Sequence, residues 1–253
     1  MDLATARELN AMTSDFYRRK AVSFSSTRER GWPGWERLAA CLGLEEKPSL
    51  SLLDVACGNF RFERWLASEH PGLAVSAHAV DGCRGLAESR PCPPSVSVSF
   101  QELDVVEELL EGSGLAESIA SPPCELVVCF GFFHHVPGFD ARVELLSSLL
   151  EKAVPGGHVA ISLWRFMDDP HLADKAESVT RRAVEERGLS LDEGDWLLGW
   201  QDDDDALRYC HSFGDEEVFS LVEAVSGRGR LAMRYRDDGR TGKLDEYLVF
   251  ERL

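Results

Sequence analysis

The stretch Leu52-Leu53-Asp54-Val55-Ala56-Cys57-Gly58-Asn59-Phe60 runs from a short apolar segment into small and turn-forming residues, and a helical pattern follows from Phe62. That is the layout of a strand feeding a helix through a tight turn. In an open parallel sheet such a turn lies at the crevice outside the strands' carboxyl ends, where ligands bind. Small side chains there let a ligand approach the backbone, and Asp54 offers a carboxylate to a cationic amino group, directly or through water. A short glycine motif taken alone is equally the mark of an ordinary turn. Its meaning depends on what surrounds it.

The pattern continues downstream. LAVSAHAV, SVSVSF, ELVVCF and HVAISLW are short apolar runs separated by helical stretches, one from Cys83 and one from Ala141 to Val154, with a weaker segment before ELVVCF. Such alternation predicts parallel strands joined by right-handed helical crossovers, a doubly wound α/β fold. Upstream, helical spacing covers Ala4 to Phe24, and Pro33 suits the first turn of a second short helix. Residues 1–48 therefore read as an N-terminal helical extension capping the site, and 49–253 as the main domain. After Trp164 the rhythm breaks. The charged stretch from Asp169 to Leu207, with its acidic run Asp202 to Asp205, reads as an inserted helical segment after strand five, lying over one face of the sheet. A helix from Asp215 to Val225 follows, and GRLAMRYR and KLDEYLVF, joined by the turn formers at 237–242, predict a closing hairpin.

The 253 residues carry 27 Lys and Arg against 44 Asp and Glu, a formal net charge of −17. Nonspecific nucleic-acid affinity comes from cations replacing counterions condensed on phosphates, so a polyanionic acceptor starts at a disadvantage. Basic residues nevertheless cluster near the start (Arg18, Arg19, Lys20, Arg28, Arg30, Arg37) and near the end (Arg228, Arg230, Arg234, Arg236, Arg240, Lys243). Any RNA contact is expected there; the commoner meaning of such clusters is a solvated face. No apolar run of about 18 residues exists to span a bilayer, and the opening MDLATARELN lacks a signal-peptide layout. The expectation is a soluble, cytoplasmic protein with no membrane contact. The seven cysteines are scattered and never spaced as Cys-x-x-Cys, which suggests neither a disulfide framework nor a metal site.

Two further acids close strands. Asp81 ends Ala79-Val80-Asp81, where a carboxylate can accept hydrogen bonds from both hydroxyls of a ribose, and Asp104 ends Glu102-Leu103-Asp104, placed for an adenine amino group. Each singly is more often a helix cap. Three acids at successive strand ends are harder to explain as coincidence.

With these residues together, the chain resembles class I S-adenosyl-methionine (SAM)-dependent methyltransferases. The likeness rests on Asp54 to Asn59, Asp81, Asp104-Val105, the strand Leu126 to Gly131 with His134-His135 after it, and Pro155-Gly156-Gly157. It implies a Rossmann-like sheet of seven mostly parallel strands and SAM as cofactor. The implied cofactor residues are Asp54, Ala56, Cys57, Gly58, Asn59, Asp81, Asp104, Val105 and Phe130. The usual Asp-x-Gly-x-Gly-x-Gly keeps only Gly58, with Ala56 and Phe60 in place of the other glycines, and Phe60 is expected to alter the shape of the site.

A narrower likeness covers the flanks. Phe24-Ser25-Ser26-Thr27-Arg28, Trp32-Pro33, His134-His135, Trp196-Leu197-Leu198-Gly199-Trp200, Arg208-Tyr209-Cys210-His211 and Tyr247-Leu248-Val249 resemble the tRNA wobble-uridine methyltransferases that esterify 5-carboxymethyluridine, although those enzymes carry Arg-Tyr-Tyr-His in place of Arg-Tyr-Cys-His. The resemblance implies tRNA as acceptor and a small activator protein as partner. It casts Arg28, His134 and His135 as catalytic residues, and Arg28, His135, Arg208 and His211 as acceptor-binding ones. A carboxylate acceptor needs no proton removed, whereas an amine or hydroxyl needs a base, for which His134 or His135 is available. The plainer alternatives are an Arg28 paired with Glu29 or Glu36, and tryptophans that only pack. Two competing functions are methylation of a small metabolite and a noncatalytic SAM-binding role, the latter favoured by Phe60.

Overall fold

The computed structural model describes residues 1–201 and 203–253; Asp202 and the side chain of Asp204, in the acidic run, lie outside the described residues. The strands are β1 (Ser49–Val55), β2 (Ala74–Asp81), β3 (Val96–Glu102), β4 (Cys124–Cys129), β5 (Ala153–Trp164), β6 (Asp195–Trp200), β7 (Asp203–His211), β8 (Gly229–Asp237) and β9 (Asp245–Arg252). The helices are α1 (Leu3–Ser26), α2 (Pro33–Leu42), α3 (Arg61–Glu69), α4 (Arg84–Glu88), α5 (Val105–Glu111), α6 (Leu115–Ser118), α7 (Phe139–Glu151), α8 (Pro170–Arg187) and α9 (Asp215–Ala224). Seven strands form one sheet in the order β3-β2-β1-β4-β5-β9-β8. β1 to β5 are mutually parallel, and β9 runs antiparallel to both β5 and β8. The order reverses between β1 and β4, and that switch point opens the crevice.

The apolar runs become central strands because helices cover both faces. Along β1, Leu50 and Leu52 point to one face, against Trp35 and Leu38 of α2 and Phe62 and Leu66 of α3. Leu53 and Val55 point to the other, into a core shared with Leu145 and Leu149 of α7 and Leu221 of α9. Edge strand β3 is exposed at alternate positions instead, as a strand covered mainly on one side should be. α2 is tied to the closing hairpin by Gly34. The Tyr235 hydroxyl donates to the Gly34 carbonyl at 2.6 Å and the Gly34 N–H donates to Asp238 at 3.1 Å, while a Cβ on Gly34 would lie 2.3 Å from the Tyr247 ring.

The stretch Asp169 to Leu207 is helical only as far as Arg187, and the expectation of a wholly helical insertion is corrected there. Its second half enters an antiparallel hairpin, β6 with β7. The physical reason is burial from two sides. Leu197, Leu207 and Tyr209 are packed between Leu9 of α1 and Val179 and Ala183 of α8, and the Thr180 hydroxyl receives the Leu197 N–H at 2.8 Å. α1 in turn lies across the carboxyl ends of the strands. Asn10 donates to Asp104 at 3.2 Å, Tyr17 meets His135 Nε2 at 2.8 Å, and Ser23 takes the Trp200 indole N–H at 2.9 Å. Among the described residues, no helix is long and apolar enough to cross a membrane.

Candidate active site

A cavity of about 850 Å³ opens at the carboxyl ends of β1, β2 and β4, under α1, a size in the range of small-molecule sites. All nine residues expected to hold the cofactor line it, as do Arg28, His134, His135 and Arg208. His211 lies outside it.

The turn from β1 to α3 has the backbone of a glycine loop without the glycines. Ala56, Gly58 and Phe60 all sit at left-handed φ, 64°, 55° and 56°. The loop is held there because the N–H groups of Ala56 and Cys57 both donate to the Val80 carbonyl, at 2.7 and 3.1 Å. Asp81 completes the clamp by accepting from Gly58 N at 2.8 Å and Cys83 N at 2.7 Å. Burial raises Asp81 to about 6, against the lowering effect of those two N–H donors. The Phe60 side chain is packed away from the cavity, against Ala79, Ala87 and the edge of Phe100, so the expected change of shape is not found. A left-handed alanine costs about 1–2 kcal/mol, part of which glycine would give back through its freedom in the unfolded chain. Ala56→Gly is accordingly expected to raise the unfolding free energy by about 0.5–1 kcal/mol, as read from urea unfolding; a loss of stability would show that the loop gains something from the methyl group.

The acids at the strand ends differ in their ties. Asp104 caps α5 through the Glu107 N–H at 3.0 Å and also holds Asn10, so the ordinary helix-cap reading applies to it even though it borders the cavity. Asp54 is 3% exposed and has no cation paired with it among the described residues. Asn59 donates to the Ser25 hydroxyl at 2.8 Å and to the Arg28 carbonyl at 3.3 Å, which fixes the segment after α1 against the loop.

Beyond the acids the cavity wall turns cationic and aromatic. Arg28 does not pair with Glu29, which binds Arg90. Its guanidinium rests 3.9 Å from the Phe24 ring centroid, and its Nη1 donates to Thr27 Oγ1 at 2.6 Å. Burial lowers it to about 10, so it stays charged at neutral pH. Arg208 is 6% exposed, stacks 4.8 Å from Phe16 and 5.4 Å from Trp200, and has a buried Nη1 with no hydrogen-bond partner. Arg61, at the start of α3, stands 4.2 Å from the Trp32 ring and is lowered to about 10 by burial. None of the three has a carboxylate within ion-pair distance among the described residues.

The two histidines behave differently from each other. His135 spends both ring nitrogens, on Tyr17 OH at 2.8 Å and on the Tyr209 carbonyl at 2.7 Å, and burial with Arg208 nearby pushes it down to about 3. It holds the loop after β4 and has no nitrogen free for an acceptor, which corrects its expected role in acceptor binding. His134 is also held neutral by burial, and its Nδ1 has no partner. With Cys210 the two imidazoles form a cluster whose ligand atoms lie within 4.8 Å. The commitments of His135 and the cationic Arg208 alongside make this a hydrogen-bonded packing cluster poorly suited to a dication.

His211, expected to bind the acceptor, is instead bonded to Asp195 at 2.8 Å and Glu217 at 2.6 Å. These two carboxylates use both of its ring nitrogens, and burial at 3% exposure keeps it from the cavity. Several residues of the terminal basic clusters are paired with carboxylates. Arg18 and Arg19 pair with Asp15, Lys20 with Asp203, Arg234 with Glu246 and Asp215, and Arg236 with Asp168. Arg234 and Arg236, where an RNA contact was expected, thus stand beside carboxylates in the structure. Tyr17, Arg61 and Glu63 were not anticipated from the sequence; only Glu63 left a signal there, as an acid next to Phe62 and before Trp65-Leu66 on the apolar face of a helix.

No protein-family model matches the chain. A curated bovine (Bos taurus) protein described as probable tRNA methyltransferase 9B is 22% identical over 165 residues, 65% of this chain and 31% of that protein, so the chain spans about a third of its relative's length. Among solved structures, a SAM-dependent methyltransferase from Methanosarcina mazei superposes with a TM-score of 0.60 at 14% identity, covering 88% of this chain and 99% of the other. Magnesium protoporphyrin IX methyltransferase from Synechocystis PCC 6803, solved with bound S-adenosyl-homocysteine (SAH), gives 0.53 at 11% identity, covering 94% and 84%. A SAM-dependent methyltransferase from Anabaena variabilis gives 0.53 at 13% identity, covering 95% of both chains. The chain has the fold of SAM-dependent methyltransferases.

Proposed function

We propose that the chain is a SAM-dependent methyltransferase whose acceptor is a carboxylate, with Arg208 and Arg28 holding that carboxylate beside the methyl group. The carrying observation is that Arg208 and Arg28, like Arg61, face the cavity with no carboxylate within ion-pair distance among the described residues, whereas Arg18, Arg19, Arg234 and Arg236 are paired. Burying an unpaired charge is costly, and a bound anion offsets that cost.

The cofactor fits the residues present. Asp54 and Asp81 face the cavity without a cation, as suits a ligand carrying an ammonium and a sulfonium, and Asp81 keeps lone pairs for ribose hydroxyls. The cofactor supplies an already activated methyl group. An acceptor carboxylate would already be a nucleophile toward that methyl group, so the residues here would need to supply no general base. The protein's share is to orient and to exclude water. Arg208 and Arg28 present paired donors to the carboxylate's plane, while His135, locked by Tyr17 and Tyr209, keeps the loop after β4 in place.

The bovine relative's description supports tRNA as the carrier of that carboxylate. The net charge of −17 and the carboxylates paired with Arg18, Arg19, Arg234 and Arg236 favour a small carboxylic acid instead. Incubation with methyl-labelled SAM, first with bulk tRNA and then with a small-molecule extract, separates the two. The expected label is alkali-labile and released as methanol, since it sits in an ester. Alkali-stable label in either pool would contradict the carboxylate reading.

A further inference from the structure

Asp54 lines the cavity, whereas Glu63, in the first turn of α3, does not. Glu63 is 0% exposed, and neither of its carboxyl oxygens has a hydrogen-bond donor. That turn starts at the cofactor loop, and the Glu63 carboxyl interacts directly with the Asp54 carboxyl. As two carboxylates the pair holds no donor and carries two buried negative charges. With one proton between them, one group donates, the other accepts, and half the charge disappears.

We propose that Asp54 and Glu63 form a proton-sharing dyad, and that binding of the cofactor's ammonium group displaces the shared proton, making Glu63 a positioning residue for cofactor affinity. The inference rests on the cofactor reading above. The cation takes over the task of the proton: it compensates the dyad's charge from the cavity side, through Asp54, while Glu63 stays buried.

The other groups facing the pair agree with this. From β2, Asp81 adds negative charge. Cys57 in the loop and Cys129 on β4 are thiols pushed upward by burial, and so remain uncharged. Cys92, in the loop before β3, is raised by burial to about 12. Arg64, a cation on α3 that acts on Glu63, bonds through Nη1 to the Asn59 carbonyl, while its Nη2 is buried without a hydrogen-bond partner. Burial raises Glu63 to about 7 and Asp54 well above the usual carboxylate range. Groups raised in this way hold their proton in the free protein and lose it as the cation arrives, so affinity rises with pH through that region.

The test is calorimetric titration of the full chain with SAH, which carries the ammonium and cannot turn over, at pH 7 in buffers of different ionisation enthalpy. The dyad holds one shared proton in the free protein, so up to one proton should be released per SAH bound, with affinity climbing as pH rises. Glu63→Gln replaces the shared proton by an amide donor of the same shape. It is expected to bind SAH with no proton release and a flat pH profile, at an affinity near that of the parent at low pH. SAH binding to the parent without proton release would overturn the dyad and leave the cofactor reading intact. Equal release by parent and Glu63→Gln would do the same. Absence of any SAH binding would overturn both.

Discussion

Arg208→Met is expected to reduce methyl transfer by roughly 10- to 100-fold while leaving SAH affinity within about twofold and the unfolding midpoint unchanged or higher. The size follows from the loss of a charge-assisted hydrogen bond, about 1.5–3 kcal/mol, expressed as a rate. The sign on stability follows from burial. Arg208 is 6% exposed with an unpartnered Nη1, so the empty protein bears the desolvation of a cation that only a ligand repays. Contacts with Phe16 and Trp200 offset part of it, and methionine preserves most of that packing. The combination of greater stability with lost turnover marks a residue kept for its ligand. Steady-state kinetics, SAH titration and urea unfolding of one preparation check all three parts. Full turnover in the folded variant, or a loss explained by collapsed SAH affinity, would contradict the assignment.

Asp195→Ala is expected to lower the unfolding free energy by about 3–5 kcal/mol, the range for breaking a buried charged pair. Asp195 is 5% exposed and receives the Tyr209 hydroxyl at 2.6 Å and His211 Nδ1 at 2.8 Å. Glu217 holds the other side of His211 and is itself paired with the buried Arg142 at 2.9 Å. The network joins β6, β7, α7 and α9, and Tyr209 passes its order on to His135. Burial alone would lower His211, but the bonds to Asp195 and Glu217 outweigh it, so the folded value lies above the ordinary 6.5. A raised folded value contributes stability that is fully present below pH 6.5 and is lost as pH rises through the folded value. The difference between parent and variant should therefore be largest below pH 6.5 and shrink above it. Urea unfolding across that range checks both size and slope; a cost under about 1 kcal/mol would show the network to be incidental.

The sheet was legible because its central strands are buried on both faces, which leaves uninterrupted runs such as Leu52 to Val55 bounded by turn formers. Asp54 and Asp81 were legible because the strand-end position is set by topology, so the residue closing an apolar run faces the crevice. Less was legible where partners come from distant segments. The hairpin β6–β7 carries its apolar residues between acidic neighbours, and only packing between α1 and α8 makes them a strand pair. The Arg-Tyr-Cys-His run looked like one functional unit, yet alternation along β7 sends Arg208 to the cavity and commits His211 to carboxylates outside it. His134 and His135 are adjacent in the chain, and nothing local says which one Tyr17, about 118 residues upstream, will occupy. Phe60 read as an obstruction because the backbone's left-handed turn, which swings its ring under β2 and β3, is set by the Val80 and Asp81 bonds.

The central claim is a SAM site built on the β1–α3 turn and clamped by Asp81, and equilibrium titration with SAH tests it most directly. One SAH is predicted to bind per chain, with affinity at least roughly tenfold weaker in Asp81→Asn, whose amide turns a donor toward a backbone N–H and forfeits a charged acceptor. No binding to the parent, or equal binding to parent and a folded Asp81→Asn, would contradict it.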